Sequence, residues 1–247
     1  MKKKKKLLLF LSIMLVLILA TGIIYLNTYY KAEESIETMA SEDSGVTVND
    51  KAGYIEIVPK GEKSDVGFIF YPGGKVDEKA YIKFMEKIAD KGFNVYIAKM
   101  PFKLAVFDGK AADKIIEDNK DVKAWAIGGH SLGGVMAESY AYSNQNKIKG
   151  VAFYGSYPLK DKSLKGTNLK VISLWGENDK VAKLDKVKAA KDELPDTAVF
   201  KQIDGGNHGG FGSYGHQKGD GKATISSDQQ QAIAAELTAN MLKSLKE

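Results

Sequence analysis

The chain has 247 residues, 44% of them hydrophobic, which is enough for one sizeable core. Its formal charge of +5 is local: five of the 36 basic residues stand at positions 2–6, and the remaining 31 balance 31 acidic ones. None of the basic residues is arginine, so the bidentate contacts that phosphate and base-edge recognition favour are missing and no nucleic-acid partner is expected.

"MKKKKKLLLFLSIMLVLILATGIIYLNTYY" places a lysine cluster before an uncharged apolar stretch from Leu7 to Leu26. As a helix this stretch is about 30 Å long, enough to span a bilayer. A cleaved signal peptide has a shorter apolar core, about 7–15 residues, ending at a small-x-small site. Ala20-Thr21-Gly22 offers such a site, but Ile23, Ile24, Tyr25 and Leu26 carry the apolar run past it. The favoured reading is an uncleaved anchor over residues 7–26, with secretion after cleavage as the alternative. A lipid-modified cysteine is excluded because the chain has none. Lysines precede the span and Glu33, Glu34, Glu37, Glu42 and Asp43 follow it. The positive-inside rule then keeps residues 1–6 cytoplasmic and puts the C-terminal domain outside, with Tyr25, Tyr29 and Tyr30 at the outer interface. Residues 27–52 are polar and acidic and read as a tether, so the folded domain is expected over 53–247.

From Gly53 onward, short apolar runs alternate with amphipathic stretches. "GYIEIV" alternates like a half-exposed strand, whereas "VGFIFY" is continuously apolar, as a strand buried on both faces would be. "DEKAYIKFMEKIADKG" sets Tyr81, Phe84, Met85 and Ile88 on one helical face and stops at Gly92. "FNVYIA" reads as strand, "AADKIIEDN" as helix, "AWAIGG" as strand, "GGVMAESYAYSN" as helix, and "GVAFYG" and "LKVISLWG" as strands. "LDKVKAAKDEL" as helix, "AVFKQI" as strand and a helix from about Ser227 to Leu245 complete the chain. The alternation predicts an α/β domain with a mostly parallel sheet and helices on both faces. In such sheets ligands bind beyond the carboxyl ends of the strands.

At one of those ends Gly129-His130-Ser131-Leu132-Gly133 fits G-x-S-x-G between a predicted strand and a predicted helix. A serine hydroxyl attacks poorly until a base takes its proton. His208, in the glycine-rich "QIDGGNHGGFGSYG" after the last predicted strand, is the candidate base, with His216 as the competitor. An imidazole in that role needs a carboxylate to fix its tautomer. "SLWGENDK" supplies Asp179 after the preceding strand, with Glu177 as a weaker substitute; Asp179 could instead cap the helix near Leu184. The order Ser131, Asp179, His208 is nucleophile, acid, base. His130 is expected as a wall beside the serine, and Trp125 and Trp175 as core.

The chain resembles the α/β-hydrolase superfamily, in particular small cap-less bacterial members similar to the dienelactone-hydrolase and carboxylesterase group. The resemblance spans about residues 53–245 and rests on "FIFYPGGKVD", "NVYIAKMPFKLAVFD", "GGHSLGG", "WGENDK" and "GGNHGGFGSYG". It implies an oxyanion hole from the backbone N–H of Leu132 and a second from Gly74 or Lys75, between which the sequence does not choose. Where many members carry His-Gly after the third strand, this chain has Tyr71-Pro72-Gly73-Gly74-Lys75. Tyr154, Tyr157 and Phe211, which follow strands or flank His208, are candidate walls of an acyl pocket.

The three histidines lack dense ligand spacing, so no metal is expected, and no organic cofactor is implied. "GFGSYG" matches G-x-G-x-x-G formally, but no apolar helix opens after Gly215 and no βαβ unit follows. "GGHSLGG" is not a phosphate loop, since Gly134 and Val135 stand where Lys and Ser/Thr are needed. The expectation is a membrane-anchored, extracytoplasmic serine hydrolase acting on small-molecule carboxylic esters; the alternative is a catalytically silent binding or sensory module on the same fold.

Overall fold

Strands that are apolar at every position must be covered on both faces, and the chain meets that demand by alternating strand and helix. The structure, a computed structural model, describes residues 2–33, 45–61 and 64–246. β1 (Val46–Lys51) and β2 (Tyr54–Pro59) form an antiparallel hairpin, and β2 pairs antiparallel with β4 (Asn94–Ala98). From β4 the sheet continues, every pairing parallel, through β3 (Val66–Tyr71), β5 (Ala124–His130), β6 (Ile148–Tyr154) and β7 (Lys170–Gly176) to β8 (Val199–Ile203). This eight-stranded, mostly parallel sheet is the α/β-hydrolase arrangement expected from the sequence.

Period-two geometry divides β3 between two cores. Val66, Phe68 and Phe70 join a cluster with Phe84, Met85 and Ile88 of one helix (Ile82–Ala89) and Ala235 and Ala239 of another (Ser227–Lys243). Ile69 and Tyr71 enter the opposite cluster with Ile115 of the helix Ala111–Asp118 and Ala137 and Tyr140 of the helix Leu132–Ser143. Including the N-terminal helix α1 (Lys2–Asn27) and a short helix at Leu184–Ala189, these helices are α1 to α6 in chain order. The last, α6, opens on a capping box in which Ser226 and Gln229 satisfy each other's backbone N–H groups.

Three expectations require correction. Residues 46–51, assigned to the tether, are strand β1: Val46 is fully buried and Val48 packs against the core, a pattern hidden by the acidic composition around them. "GYIEIV" is not half-exposed: β2 is buried from Tyr54 to Val58 because both its faces are covered, Ile55 and Ile57 entering one core cluster and Tyr54 the opposite one. Its one charge, Glu56, accepts a hydrogen bond from Asn49 Nδ2 at 2.9 Å and lies 3.8 Å from Lys51 Nζ. The third correction concerns residues 28–33, which lie along the domain rather than hanging free. Tyr30 bridges Val76, with Tyr30 N–H donating to Lys75 O at 2.8 Å and Asp77 N–H donating to Tyr30 O at 2.9 Å. Residues 34–44 of the expected tether lie outside the described residues. Among the described residues α1 is the one helix long and apolar enough to cross a membrane.

Candidate active site

β5 passes into α4 through Ser131, which adopts φ 52° and ψ −121°. That backbone is strained for a residue with a Cβ, by about 1–3 kcal/mol, and lifts the side chain off both elements. The neighbouring glycines make the turn possible: a side chain on Gly129 would run into the Gly133 backbone, and one on Gly133 into the Tyr71 carbonyl. The turn is tied down by Ser131 N–H donating to Tyr154 O at 3.0 Å and Ser156 Oγ donating to Ser131 O at 2.8 Å.

The loops after β7 and β8 bring the other candidates together. His208 Nδ1 lies 2.8 Å from Asp179 Oδ2, both side chains being buried. The other oxygen, Asp179 Oδ1, accepts from the N–H groups of Val181 at 2.9 Å and Ala182 at 2.8 Å. Asp179 therefore both braces its loop and holds the imidazole, one oxygen for each task. With Nδ1–H donating to the carboxylate, the free lone pair of His208 is on Nε2, a buried atom without a hydrogen-bond partner among the described residues. A hydrogen bond to Ser131 Oγ is thus not formed here; such bonds are often long in unliganded sites and tighten with substrate. Glu177 is occupied elsewhere, its Oε2 accepting from Gly205 N–H at 2.8 Å, and His216 is exposed.

His130 ties the serine turn to this pair. Its ring lies on that of His208 with centroids 4.4 Å apart, and its Nδ1 is 2.8 Å from Tyr81 Oη. Tyr81 Oη accepts from Gly73 N–H at 3.1 Å, so the phenol proton points to His130 Nδ1. Burial, and then the neighbouring His208, push the His130 pKa well below the ordinary histidine value and keep the ring neutral. The same phenol thereby fixes the loop after β3, where Lys75 sits at φ 62° and its N–H donates to Lys103 O at 2.7 Å. A Cβ on Gly74 would lie 3.0 Å from Leu132 Cδ2, so Gly74 faces the residue that follows the serine.

Two candidate pocket walls are corrected by burial. Tyr154 and Phe211 are fully buried, Tyr154 donating or accepting at Thr238 Oγ1 over 2.7 Å and Phe211 packing on His130 at 5.7 Å. Both belong to the core behind the histidines; Tyr157 alone of the three is partly exposed. Sequence reasoning also missed the supports of the His208 loop. Gln230 of α6 grips the Asn207 backbone twice, accepting from its N–H at 3.0 Å and donating to its carbonyl at 2.8 Å. Asp220 Oδ2 accepts from Gly209 N–H at 2.8 Å. Neither residue belongs to a motif, and Gln230 sits in the first turn of α6, where a polar residue reads as solvent-facing. A cavity of about 1070 Å³ opens at the amino ends of the parallel strands, by Val66, Ala124, Ile148 and Lys170, the end opposite to Ser131.

The sequence model described as "Alpha/beta hydrolase family" matches residues 67–232. No curated protein matches the chain. Among solved structures, the esterase domain of a Rhodothermus marinus protein is similar with a TM-score of 0.61 and 14% identity, over 78% of this chain and 93% of its own. Est1E from Butyrivibrio proteoclasticus is similar with a TM-score of 0.57 and 14% identity, over 81% of this chain and 100% of its own.

Proposed function

We propose that this chain, which belongs to the alpha/beta hydrolase family, is a serine hydrolase of carboxylic esters, anchored in the membrane by α1 and working outside the cytoplasm. The observation that carries the reading is the buried Asp179–His208 pair, which leaves Nε2 as the acceptor, its ring 4.4 Å from that of His130, the residue before the strained Ser131. In the proposed reaction His208 Nε2 takes the hydroxyl proton as Ser131 Oγ adds to the ester carbonyl. Asp179 holds the tautomer and stabilises the imidazolium. The proton then passes to the leaving alcohol, and water, activated by the same nitrogen, releases the acid from the acyl-enzyme.

The negative charge on the carbonyl oxygen needs two donors, each worth about 2.7–4 kcal/mol. Leu132 N–H supplies one. For the other, Gly73 N–H is already bound to Tyr81 Oη and Lys75 N–H to Lys103 O, which favours Gly74 N–H facing Leu132. The esterases among the similar structures agree with the ester reading, and the lysines before α1 favour a catalytic domain outside the membrane.

Purified full chain in detergent should hydrolyse short p-nitrophenyl esters and be labelled on Ser131 by a fluorophosphonate. Both should vanish in Ser131→Ala; a wild-type chain inert to both, or a variant as active as wild type, sinks the proposal. Anchoring is read separately: the protein should resist high-salt extraction from membranes at its full-length mass, and a trimmed soluble form would instead mean a cleaved signal.

A further inference from the structure

The apolar helix ends at the mouth of the proposed site. Lys75, next to Gly74, donates from Nζ to the carbonyls of Tyr25 at 2.7 Å and Leu26 at 2.8 Å, capping the last turn of α1, and lies 5.1 Å from the centre of the Tyr25 ring. The chain then pairs Tyr30 with Val76, packs the Tyr30 ring on Tyr214 at 5.6 Å, and passes Glu33 N–H to Ser213 O at 3.0 Å. No slack separates helix from domain, and the strap crosses both the loop after β3 and the loop that follows His208. The plane at which α1 would leave a bilayer therefore lies at the carboxyl ends of the strands.

Beside that exit the loop after β4 projects Phe102, Val106 and Phe107, which are 50%, 51% and 57% exposed. The two phenyl rings meet edge to face at 5.6 Å. Phe102 and Lys103 both hold left-handed backbone, at φ 53° and 56°, so the projection is built into the loop rather than left to chance. The loop is joined to the rest by the Lys103 O···Lys75 N–H bond, and the Lys103 ammonium lies 5.2 Å over the Tyr29 ring. Leu104, from the same loop, comes within 3.5 Å of the Cβ position of Gly74, so the projection and the mouth share a wall. Large aromatic and aliphatic groups flanked by lysine and tyrosine are the composition of a segment that lies in the headgroup region.

We propose that Phe102, Val106 and Phe107 insert into the leaflet through which α1 emerges, and that the site takes its ester from a membrane-resident acylated amphiphile rather than from bulk water. Ester linkages of such molecules lie at the boundary between headgroups and acyl chains, the depth that an interfacial loop reaches. The substrate half of this inference rests on the hydrolase reading; the insertion half rests only on the reading of α1 as a membrane anchor.

Because the chain has no cysteine, one can be placed at will. Phe107→Cys, labelled with an environment-sensitive fluorophore in the full chain, is reconstituted in vesicles of phosphatidylcholine and phosphatidylglycerol with or without a shallow nitroxide lipid. Lys149→Cys, at the other end of the strands, is the control. Quenching at 107 and not at 149 is the expected result; equal quenching, or none, overturns insertion, as docking of a second copy or another protein at this loop would. In a second arm, Val106→Ser combined with Phe107→Ser should lower hydrolysis of a vesicle-borne acyl ester relative to a water-soluble one by about tenfold. An unchanged ratio overturns the substrate class. If wild type hydrolyses neither ester while position 107 is quenched, insertion stands and the hydrolase reading falls; hydrolysis without quenching has the reverse meaning.

Discussion

The ring of His130 lies on the ring of His208, centroids 4.4 Å apart, and only one of the two is tied to a carboxylate. The pairing couples the serine turn to the proposed base through a neutral imidazole, and continues through Tyr81 to the Gly73 N–H. A relay of contacts so placed makes the relative position of three loops depend on a few hydrogen bonds, each open to a measurement.

Asp179→Asn keeps an oxygen for the Val181 and Ala182 N–H groups but presents an amide to His208 Nδ1, favouring the wrong tautomer. Ester hydrolysis should fall roughly a thousandfold to ten-thousandfold in kcat, with the melting temperature little changed. Steady-state kinetics beside a thermal scan decide it; a large loss of stability with modest loss of kcat would assign Asp179 to the loop alone.

Tyr81→Phe removes one hydroxyl and strands two partners, Gly73 N–H and His130 Nδ1. The loop that carries Gly74 should loosen, lowering kcat by about tenfold, or about 1.4 kcal/mol of barrier, with KM within about twofold. A change confined to KM would place Tyr81 in binding instead of positioning.

Gln230→Ala leaves the Asn207 N–H and carbonyl without their partners, a cost of about 1–3 kcal/mol, and frees the backbone next to His208. Both melting temperature and kcat should drop. Were kcat to stay at the wild-type value while stability fell, the grip would be structural only.

Glu138, on α4, is fully buried, and burial, only partly offset by the Leu159 backbone and Lys162, raises its pKa from 4.5 to about 7. A raised acid holds its proton in the folded state after the unfolded chain has released it. Its contribution is therefore full below pH 4.5 and declines up to about pH 7, by at most about 3 kcal/mol. Glu138→Gln should match wild type near pH 4.5 and melt higher above pH 7. Parallel pH profiles for the two proteins would contradict this.

Much of the α/β architecture was legible because buried strands such as "VGFIFY" and amphipathic stretches such as "KFMEKIA" announce their periods. Ser131, Asp179 and His208 were legible as positions after strands, and the structure brings Asp179 and His208 into contact while leaving His208 Nε2 without a partner among the described residues. Other features depend on distant parts of the chain. β1 was missed because Val46 and Val48 stand among acidic residues whose strand partner lies across a tight turn. Tyr154 and Phe211 looked like walls because sequence order puts them after strands, but it does not say that α6 closes over them. The proposed preference for Gly74 over Lys75 rests on Lys103, from another loop, taking the Lys75 N–H, a contact between loops that no local pattern shows.

The strap of residues 28–33 follows directly on Asn27 and is stitched at Tyr30 and Glu33 to two loops of the proposed site. A domain joined in this way is not free to turn about the end of α1. Held in a bilayer by α1 and fed from the leaflet, as proposed, it would meet substrate by lateral diffusion, so its effective concentration would be a number of molecules per area, and dilution of the surrounding liquid would leave its turnover unchanged.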